Sequence, residues 1–303
     1  MNDSHPSHRA ARLDVGVIGT GRVGSVLGAA LARAGHAVVA AAGVSQESVR
    51  RAERLLPGVP LLPADEVVAR ADLVLLAVPD DELTPLVAGL AETGAWRPGQ
   101  LVAHTSGAHG IAVLEPATRA GALPLALHPA MTFAGRPEDV QRLVGITFGI
   151  TAPPHYRPVA EALVLEMGGE PVWIAEEARP LYHAALVVGA NHLVTLVNDA
   201  ADLLRRAGVE RPAAVLGPLL GAALDNALRS GDAALTGPVA RGDAGTLARH
   251  LRTLSAHAPD SVAAYIAMAR LTADRALASG QLRSSQAGPL LGVLAASTHG
   301  ART

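Results

Sequence analysis

The ten residues from 15 to 24 decide the fold, and they read Val15-Gly16-Val17-Ile18-Gly19-Thr20-Gly21-Arg22-Val23-Gly24. An apolar, strand-like run leads into the glycines, and an alanine-rich, helix-like segment follows them. The first glycine permits a tight turn, the second lets a phosphate approach the backbone, and the third lets helix and strand pack closely. The start of the helix offers free N–H groups to an anion. The pattern predicts a turn that binds a dinucleotide, with contacts from Gly19, Thr20, Gly21, Arg22, Val23 and Gly24.

Strand-like and helix-like segments alternate in the first half of the chain. The strand-like runs are Asp14–Ile18, Ala37–Ala42, Asp72–Val78, Gln100–His104, Leu123–Leu127, Ile146–Ile150 and Pro171–Ala175. This alternation is typical of a doubly wound parallel sheet. We therefore predict an α/β fold that begins with a Rossmann-type parallel sheet domain.

The second half has helical patterns only, which predicts an all-helical C-terminal domain. They cover Pro180–Ala207, Pro212–Ser230, Gly242–Ala256 and Pro259–Ser279. We expect a disordered polar tail over residues 1–11, a nucleotide-binding domain over 12–178 and a helical substrate and dimerisation domain over 179–303. The apolar run from Leu181 to Val197 contains two histidines and an asparagine, so we interpret it as a buried helix and not a membrane span. Without a signal peptide, we expect a soluble, cytoplasmic protein.

The composition excludes several classes of function. The 25 basic and 27 acidic residues nearly balance, so no nucleic-acid or membrane partner is indicated. Cysteine is absent, which excludes disulfides, thiolate catalysis and Cys-ligated metals. All basic residues are arginine, and the absence of lysine excludes Schiff-base chemistry and a P-loop of the usual kind. No metal site is expected.

The end of the second strand favours one nicotinamide cofactor over the other. An NAD site would place an acidic residue there for the ribose 2′-hydroxyl. This chain instead has Gly43-Val44, followed by Ser45, Ser48, Arg50 and Arg51. Hydroxyl and guanidinium groups suit a 2′-phosphate, which predicts NADP(H). Val78 and Pro79, at the end of the third strand, are further predicted cofactor contacts.

Other strand ends carry candidate substrate-binding residues, because ligands bind beyond the carboxyl ends of parallel strands. Ser106 and the N–H of Gly107 could hold a carboxylate, although an ordinary serine turn explains them equally well. His128 could reach a substrate, or it could bond loop backbone. Asp80 and Asp81 follow the third strand and are better explained as a helix N-cap.

The apolar helix after Pro180 carries His183 and Asn191, which lie about 80° apart on a continuous α-helix. Buried polar groups need partners, and these two would face either protein or a carbonyl substrate. The loop 234–243 contains Thr236 and Arg241. Turn chemistry does not explain Arg241, and in a chain without lysine it is a natural partner for a substrate carboxylate.

The segments GTGRVG, HTSGA, HPAMTF, LYHAA with a later AN, and LTGPVARGD together resemble the Rossmann-like proteins with a C-terminal domain of unknown function 2520. The resemblance implies an NADP-binding domain and a helical domain similar to those of 6-phosphogluconate dehydrogenase-like and pyrroline-carboxylate reductase-like enzymes, which commonly dimerise through it. Some relatives resemble an alternative ketopantoate reductase of pantothenate synthesis. Ala130-Met131 departs from the family pattern, where Leu-Gln is expected.

Three functions are compatible with these features. The first is NADPH-dependent reduction of a small 2-keto acid such as ketopantoate. In this reaction Arg241 and the Ser106–Gly107 turn hold the carboxylate, and Asn191 polarises the carbonyl. His183 donates the proton, with His128 or a water held by Asn191 as alternative donors. The second is an imine reductase resembling pyrroline-carboxylate reductase. The third is a non-catalytic NADP-binding sensor.

Overall fold

A computed structural model of the chain describes residues 12–299, and the predicted tail over residues 1–11 lies outside the described residues. The chain divides into two compact units, Met1–Gly189 and Ala190–Thr303. The sequence pattern placed this boundary near residue 178, before the long apolar helix, whereas the structure places it within that helix.

The first unit is built on one seven-stranded sheet with the order β2-β1-β3-β4-β5-β6-β7. The strands are β1 (Asp14–Ile18), β2 (Ala37–Ala42), β3 (Leu73–Leu76), β4 (Leu101–His104), β5 (Leu123–Pro129), β6 (Thr147–Thr151) and β7 (Glu170–Trp173). All seven predicted strands are present. The α/β class with a Rossmann-type sheet is confirmed.

The predicted parallel sheet is present, with one antiparallel pairing. Strands β1 to β5 run parallel, but β6 pairs antiparallel with β5, and β7 follows β6 in parallel. The connection from β5 to β6 contains one helix of 6 residues. Strand β6 runs back alongside β5, with Phe148 opposite Pro129 and Thr151 opposite Ala126.

Helices cover both faces of this sheet. They are α1 (Arg22–Ala34), α2 (Gln46–Leu55), α3 (Ala64–Arg70), α4 (Asp80–Glu92), α5 (Glu115–Arg119), α6 (Pro137–Arg142), α7 (Arg157–Glu166) and α8 (Arg179–Leu186). One apolar core contains buried residues of α1 and α7, and a second contains those of α3 and α4. Alternate residues of each central strand enter opposite cores, as in a sheet buried on both sides.

The second unit is helical. Its helices are α9 (His192–Arg206), α10 (Pro212–Ser230), α11 (Gly237–Ala240), α12 (Ala244–His257), α13 (Pro259–Ala278) and α14 (Ser284–His299). Helix α14 was not predicted, because Pro289 interrupts its pattern. The core of this unit is formed by residues of the last four helices, such as Leu247, Ile266 and Leu290.

The prediction that the run from Leu181 to Val197 is a buried helix is wrong for the single chain. No residue of α9 is buried, and Leu181, Val188 and Val194 are exposed. Within residues 12–299, the stretch Glu176–Arg206 is the one helix long and apolar enough to cross a membrane. One helix that qualifies by length and composition alone is weak evidence for a membrane span. The expected cytoplasmic location stays a prediction.

Candidate functional site

The glycine turn has the geometry that its spacing predicts. Gly19 follows β1 with a φ of 95°, and a β-carbon there would lie 2.4 Å from the carbonyl oxygen of Ala77. A β-carbon on Gly24 would lie 2.1 Å from the carbonyl oxygen of Gly19. Both positions therefore require glycine, one for its backbone conformation and both for space.

The space beside this turn fits a dinucleotide. A β-carbon on Gly21 would meet no protein atom within 4 Å, so the backbone is open at that point. Helix α1 begins there without a side-chain cap and without an acidic residue in its first turn, which leaves its N–H groups free for an anion. The buried hydroxyl of Thr20 has no hydrogen-bond partner among the described residues. An unpartnered hydroxyl and an open helix start are features that a bound phosphate would satisfy.

A cavity of about 920 Å³ adjoins the turn. It brings together seven of the predicted cofactor residues, namely Gly19, Thr20, Gly21, Ser45, Ser48, Val78 and Pro79. The other four predicted cofactor residues, Arg22, Val23, Gly24 and Arg50, are absent from its lining. Leu62, Pro63 and Leu86 make one part of the cavity apolar, which suits a flat ring such as a purine.

The end of β2 combines helix capping with candidate phosphate contacts. Ser45 caps α2 by accepting the N–H of Ser48, and the hydroxyl of Ser48 donates to the carbonyl of Ser45. The Ser45 hydroxyl keeps its proton free to donate. Arg50 is exposed, whereas Arg51 is buried and bonds Glu47. The Nε of Arg51 has no partner among the described residues and lies beside the backbone of Gly135, and Arg51 is absent from the lining of the cavity.

The carboxyl ends of β4 and β5 bring Gly107, His128 and His183 together. A β-carbon on Gly107 would lie 2.9 Å from Cδ2 of His183 and 3.0 Å from Nε2 of His128. The two imidazole rings have centroids 6.3 Å apart. We call Gly107, His128, Tyr182 and His183 the strand-end cluster. Three of its members were predicted from the sequence as site residues.

The loop before Gly107 is held by buried polar groups. His104 accepts the N–H of Ser106 at Nδ1 and donates from Nε2 to the carbonyl of Gly110, at 3.2 and 2.8 Å. Burial lowers the pKa of His104 to about 4, so it is neutral at pH 7. The hydroxyl oxygen of Ser106 accepts the N–H groups of Ala108 and His109. Ser106 therefore forms the ordinary serine turn, and only its hydroxyl proton is left for a ligand.

Tyr182 completes the strand-end cluster. Its hydroxyl lies 3.0 Å from Nδ1 of His128, and Gly149 leaves space for its ring. Burial raises the pKa of Tyr182, and burial together with the charge of Arg179 lowers the pKa of His128 to about 4. Both side chains are therefore neutral at pH 7, and His128 cannot act as an imidazolium proton donor at that pH.

Arg179 lies behind this cluster and is completely buried. Its Nε donates to Thr151 Oγ1 at 2.8 Å. The other donor nitrogens bond the main-chain carbonyls of Ser106 after β4, Ala126 within β5 and Gly149 within β6. Among the residues that the structure describes, no carboxylate forms an ion pair with it. A positive charge is thus fixed in the wall of the site.

The remaining predicted site residues belong to the second unit. Asn191 is exposed and ends a π-helical segment, Val187–Asn191. The α-helical period is interrupted there, so the 80° offset from His183 does not apply. Thr236 and Arg241 line a cavity of about 490 Å³ in this unit. The structure therefore brings these two predicted residues together.

Sequence reasoning missed the roles of Arg179 and Tyr182. Arg179 follows two glutamates and precedes a proline at a helix start, which is typical of an exposed charge. In the sequence, Tyr182 is one polar side chain of an otherwise apolar helix. The available signal was a polar triplet, Arg179, Tyr182 and His183, on one turn of a helix that otherwise reads as apolar.

Two family models match the chain. A Rossmann-like domain matches residues 1–129, and the domain of unknown function 2520 matches residues 146–272. No curated protein sequence matches the chain.

Solved structures with the same fold cover nearly the whole chain. A candidate NADP oxidoreductase from Bacteroides fragilis is 24% identical, with a TM-score of 0.71 over 87% of this chain and 98% of the other. An imine reductase from Pseudomonas sp. is 18% identical, with a TM-score of 0.63 over 89% and 96%. A pyrroline carboxylate reductase from Plasmodium falciparum, solved with NADP bound, is 13% identical, with a TM-score of 0.57 over 89% and 97%. The two family models together show that a Rossmann-like domain precedes a domain of unknown function 2520 in this chain.

Proposed function

We propose that this protein is an NADPH-dependent oxidoreductase that reduces the carbonyl group of a small 2-keto acid, with ketopantoate as the first candidate. One observation carries the proposal: the open glycine turn and the strand-end cluster both follow the carboxyl ends of the parallel strands β1 to β5. Ligands of doubly wound sheets bind at that edge. A nucleotide and a second, smaller reactant can therefore be held by neighbouring strand ends.

The cofactor part of the proposal rests on the residues around the turn. NADPH, when bound, supplies the hydride. Backbone N–H groups from Gly21 onward would hold the pyrophosphate, and the unpartnered hydroxyl of Thr20 would gain a partner. Ser45, together with Arg50 or Arg51, would hold the 2′-phosphate, since no carboxylate stands at the end of β2. Four of the structural neighbours carry NADP or NAD in their names, which supports a nicotinamide cofactor.

The substrate part assigns a role to each polar group. Arg241 would grip the carboxylate with its planar guanidinium, and the N–H of Gly107 would add a second contact. Asn191 would polarise the carbonyl. His183 would donate the proton to the developing alkoxide, because His128 is neutral and the chain has no lysine. These roles follow from the chemistry of each side chain, from the neutrality of His128 and from the absence of lysine.

A second candidate is reduction of a cyclic imine. An imine reductase and a pyrroline carboxylate reductase share the fold over nearly their whole length, which favours this alternative. An iminium carbon accepts hydride without a proton being added in the same step. Such a reaction would not require His183 to donate a proton in the hydride-transfer step.

One assay separates these functions. NADPH oxidation would be followed with ketopantoate, pyrroline-5-carboxylate and a panel of 2-keto acids. Fastest turnover of ketopantoate would support the first proposal, and turnover of pyrroline-5-carboxylate alone would support the second. NADPH binding without any turnover would indicate the sensor. If His183→Ala stays within about threefold of the wild-type rate, under about 0.7 kcal/mol of barrier, His183 is not the principal acid.

We infer that the chain forms a homodimer in which the partner chain covers the exposed apolar surface of helices α9 and α10. Leu193, Val194, Leu219 and Leu228 of these helices are exposed in the single chain, and large exposed apolar patches mark interaction sites. The mass in solution should equal two chains, and Leu219→Arg should reduce it to one. Leu165→Arg is a matched control, because Leu165 of α7 is exposed to a similar degree, 60% against 62%. A wild-type mass of one chain would refute the dimer.

A further inference from the structure

The strongest unexplained feature of the first unit is the buried charge of Arg179. The guanidinium is inaccessible to solvent, and it donates to neutral oxygens of Thr151 and of three main-chain carbonyls. The carboxylate of Glu176 acts on this charge, but it accepts the N–H groups of Ile111 and Ala112 and forms no ion pair with Arg179 among the described residues. A buried charge whose hydrogen-bond partners are all neutral is costly and is rarely kept without a role. Its four bonds join β5, β6 and the segment after β4, but neutral donors could make bonds of that kind as well. The charge itself therefore needs an explanation.

Titratable groups of the strand-end cluster lie close to this charge, as do Glu176 and His104. The guanidinium carbon lies 5.9 Å from the centre of the Tyr182 ring. Tyr182 bonds Nδ1 of His128, and Nε2 of His128 lies beside the backbone of Gly107. Arg179, Tyr182 and His128 thus form a row that leads from the interior to the predicted substrate position.

A nearby cation has a definite effect on this row. It stabilises negative charge on the phenol oxygen, so it strengthens the Tyr182 hydroxyl as a donor and weakens it as an acceptor. The same cation disfavours a second proton on the imidazole. Both effects favour one arrangement, in which Tyr182 donates to Nδ1 of His128 and the single imidazole proton stays on Nε2.

We propose that Arg179 is a positioning residue that fixes His128 as a neutral Nε2–H donor by directing the Tyr182 hydroxyl toward Nδ1. His128 then offers a hydrogen bond, and not a proton, to an oxygen or nitrogen atom of a ligand bound next to Gly107. That this donor polarises a carbonyl or imine during reduction rests on the proposed function. The tautomer and its dependence on Arg179 do not.

Other charged groups near His128 do not change this direction. His183 also lowers its pKa, while Asp80 raises it, and burial makes the largest contribution. With these contributions together the pKa of His128 is about 4. We therefore expect the neutral form throughout the range from pH 5 to pH 9.

The test is nitrogen-15 NMR of the histidine side chains in the full-length protein. Two-bond correlations between ring protons and ring nitrogens distinguish the Nε2–H from the Nδ1–H tautomer. His128→Gln identifies the His128 signal by its loss. We expect a single Nε2–H tautomer in wild type, and a mixture of both tautomers in Tyr182→Phe, which lacks the hydroxyl donor.

Substitution of Arg179 tests the role of its charge. In Arg179→Gln the pKa of His128 should rise by at least about half a unit and stay below 6.5, since burial remains. Arg179→Lys keeps the charge, so His128 should titrate as in wild type, which separates charge from shape. If Arg179→Gln does not fold, wild type, Arg179→Lys and Tyr182→Phe still decide the question. An Nδ1–H tautomer in wild type, or an unchanged pKa in folded Arg179→Gln, would overturn the proposal.

These measurements need neither a substrate nor a cofactor. A protein that reduces no 2-keto acid or imine could still show the predicted tautomer. Conversely, an active reductase with the Nδ1–H tautomer would refute the role of Arg179 and leave the proposed function intact.

Discussion

The glycine turn and the strand-end cluster lie at the same edge of one sheet, but they are built in opposite ways. The turn consists of backbone groups and of space left by missing side chains, as at Gly21 and Gly24. The strand-end cluster consists of large side chains packed over a buried cation, Arg179. Ligand binding at the glycine turn depends on space next to the backbone. The properties of the strand-end cluster depend on charge and protonation.

This difference predicts different responses to change. A substitution in the glycine turn should weaken cofactor binding equally at every pH, because the contacts are made by atoms that do not titrate. The effect of a substitution near the strand-end cluster should depend on pH, because His104 and His128 are held neutral by burial. The predictions below use this contrast, starting with the largest effect.

Gly24→Ala should abolish measurable NADPH binding. Its β-carbon would lie 2.1 Å from the carbonyl oxygen of Gly19, so the turn must move, and such overpacking typically costs about 1–3 kcal/mol of stability. Isothermal titration and thermal unfolding measure both effects. Gly89→Ala is the control, because a β-carbon there meets no atom within 4 Å, and it should bind as wild type does. Normal binding by Gly24→Ala would contradict the role of this glycine.

Acidification should destabilise the protein through His104. The pKa of His104 is about 4 in the folded protein against 6.5 as its ordinary value, so between these pH values only the unfolded chain takes up the proton. Stability is therefore complete above pH 6.5 and falls toward pH 4, by roughly 3 kcal/mol for this group. Urea unfolding at pH 7 and pH 4.5 measures the loss. His104→Gln should show a smaller difference between the two pH values, and an equal difference would refute the assignment.

Gly21→Ala should leave folding intact and weaken NADPH binding at least tenfold, about 1.4 kcal/mol. The added methyl group meets no protein atom within 4 Å, but it would occupy the space through which the pyrophosphate approaches the backbone. Binding is measured by titration and folding by the thermal midpoint. Unchanged affinity would mean that no phosphate lies against Gly21.

Arg50→Ala should reduce the preference for NADPH over NADH several-fold, by about 1 kcal/mol, through the loss of one exposed contact to the 2′-phosphate. Exposed Arg54 of the same helix provides a matched control, Arg54→Ala. The ratio of the two dissociation constants is the readout. If only Arg51→Ala changes the ratio, the buried arginine makes the contact in place of Arg50.

The same contrast explains how much could be predicted from the sequence. The glycine turn is local: Gly19, Gly21 and Gly24 act within one strand–helix connection, so their spacing predicted the geometry. The strand-end cluster is assembled from three separate segments, and the charge behind it, Arg179, comes from a helix start that looks exposed in sequence. Its burial depends on β6 pairing antiparallel with β5, which places Thr151 and Gly149 near its donors. The run Ile146–Ile150 predicts a strand in the sequence but does not indicate the direction in which it pairs.

The central claim is that the cavity beside the glycine turn is an NADPH site. Isothermal titration of the wild-type protein with NADPH and with NADH at pH 7 tests it most directly. The account predicts one nucleotide per chain and an affinity for NADPH at least about tenfold higher than for NADH, the size of one charge-assisted contact to the 2′-phosphate. Equal affinities, a preference for NADH or the absence of binding would contradict it.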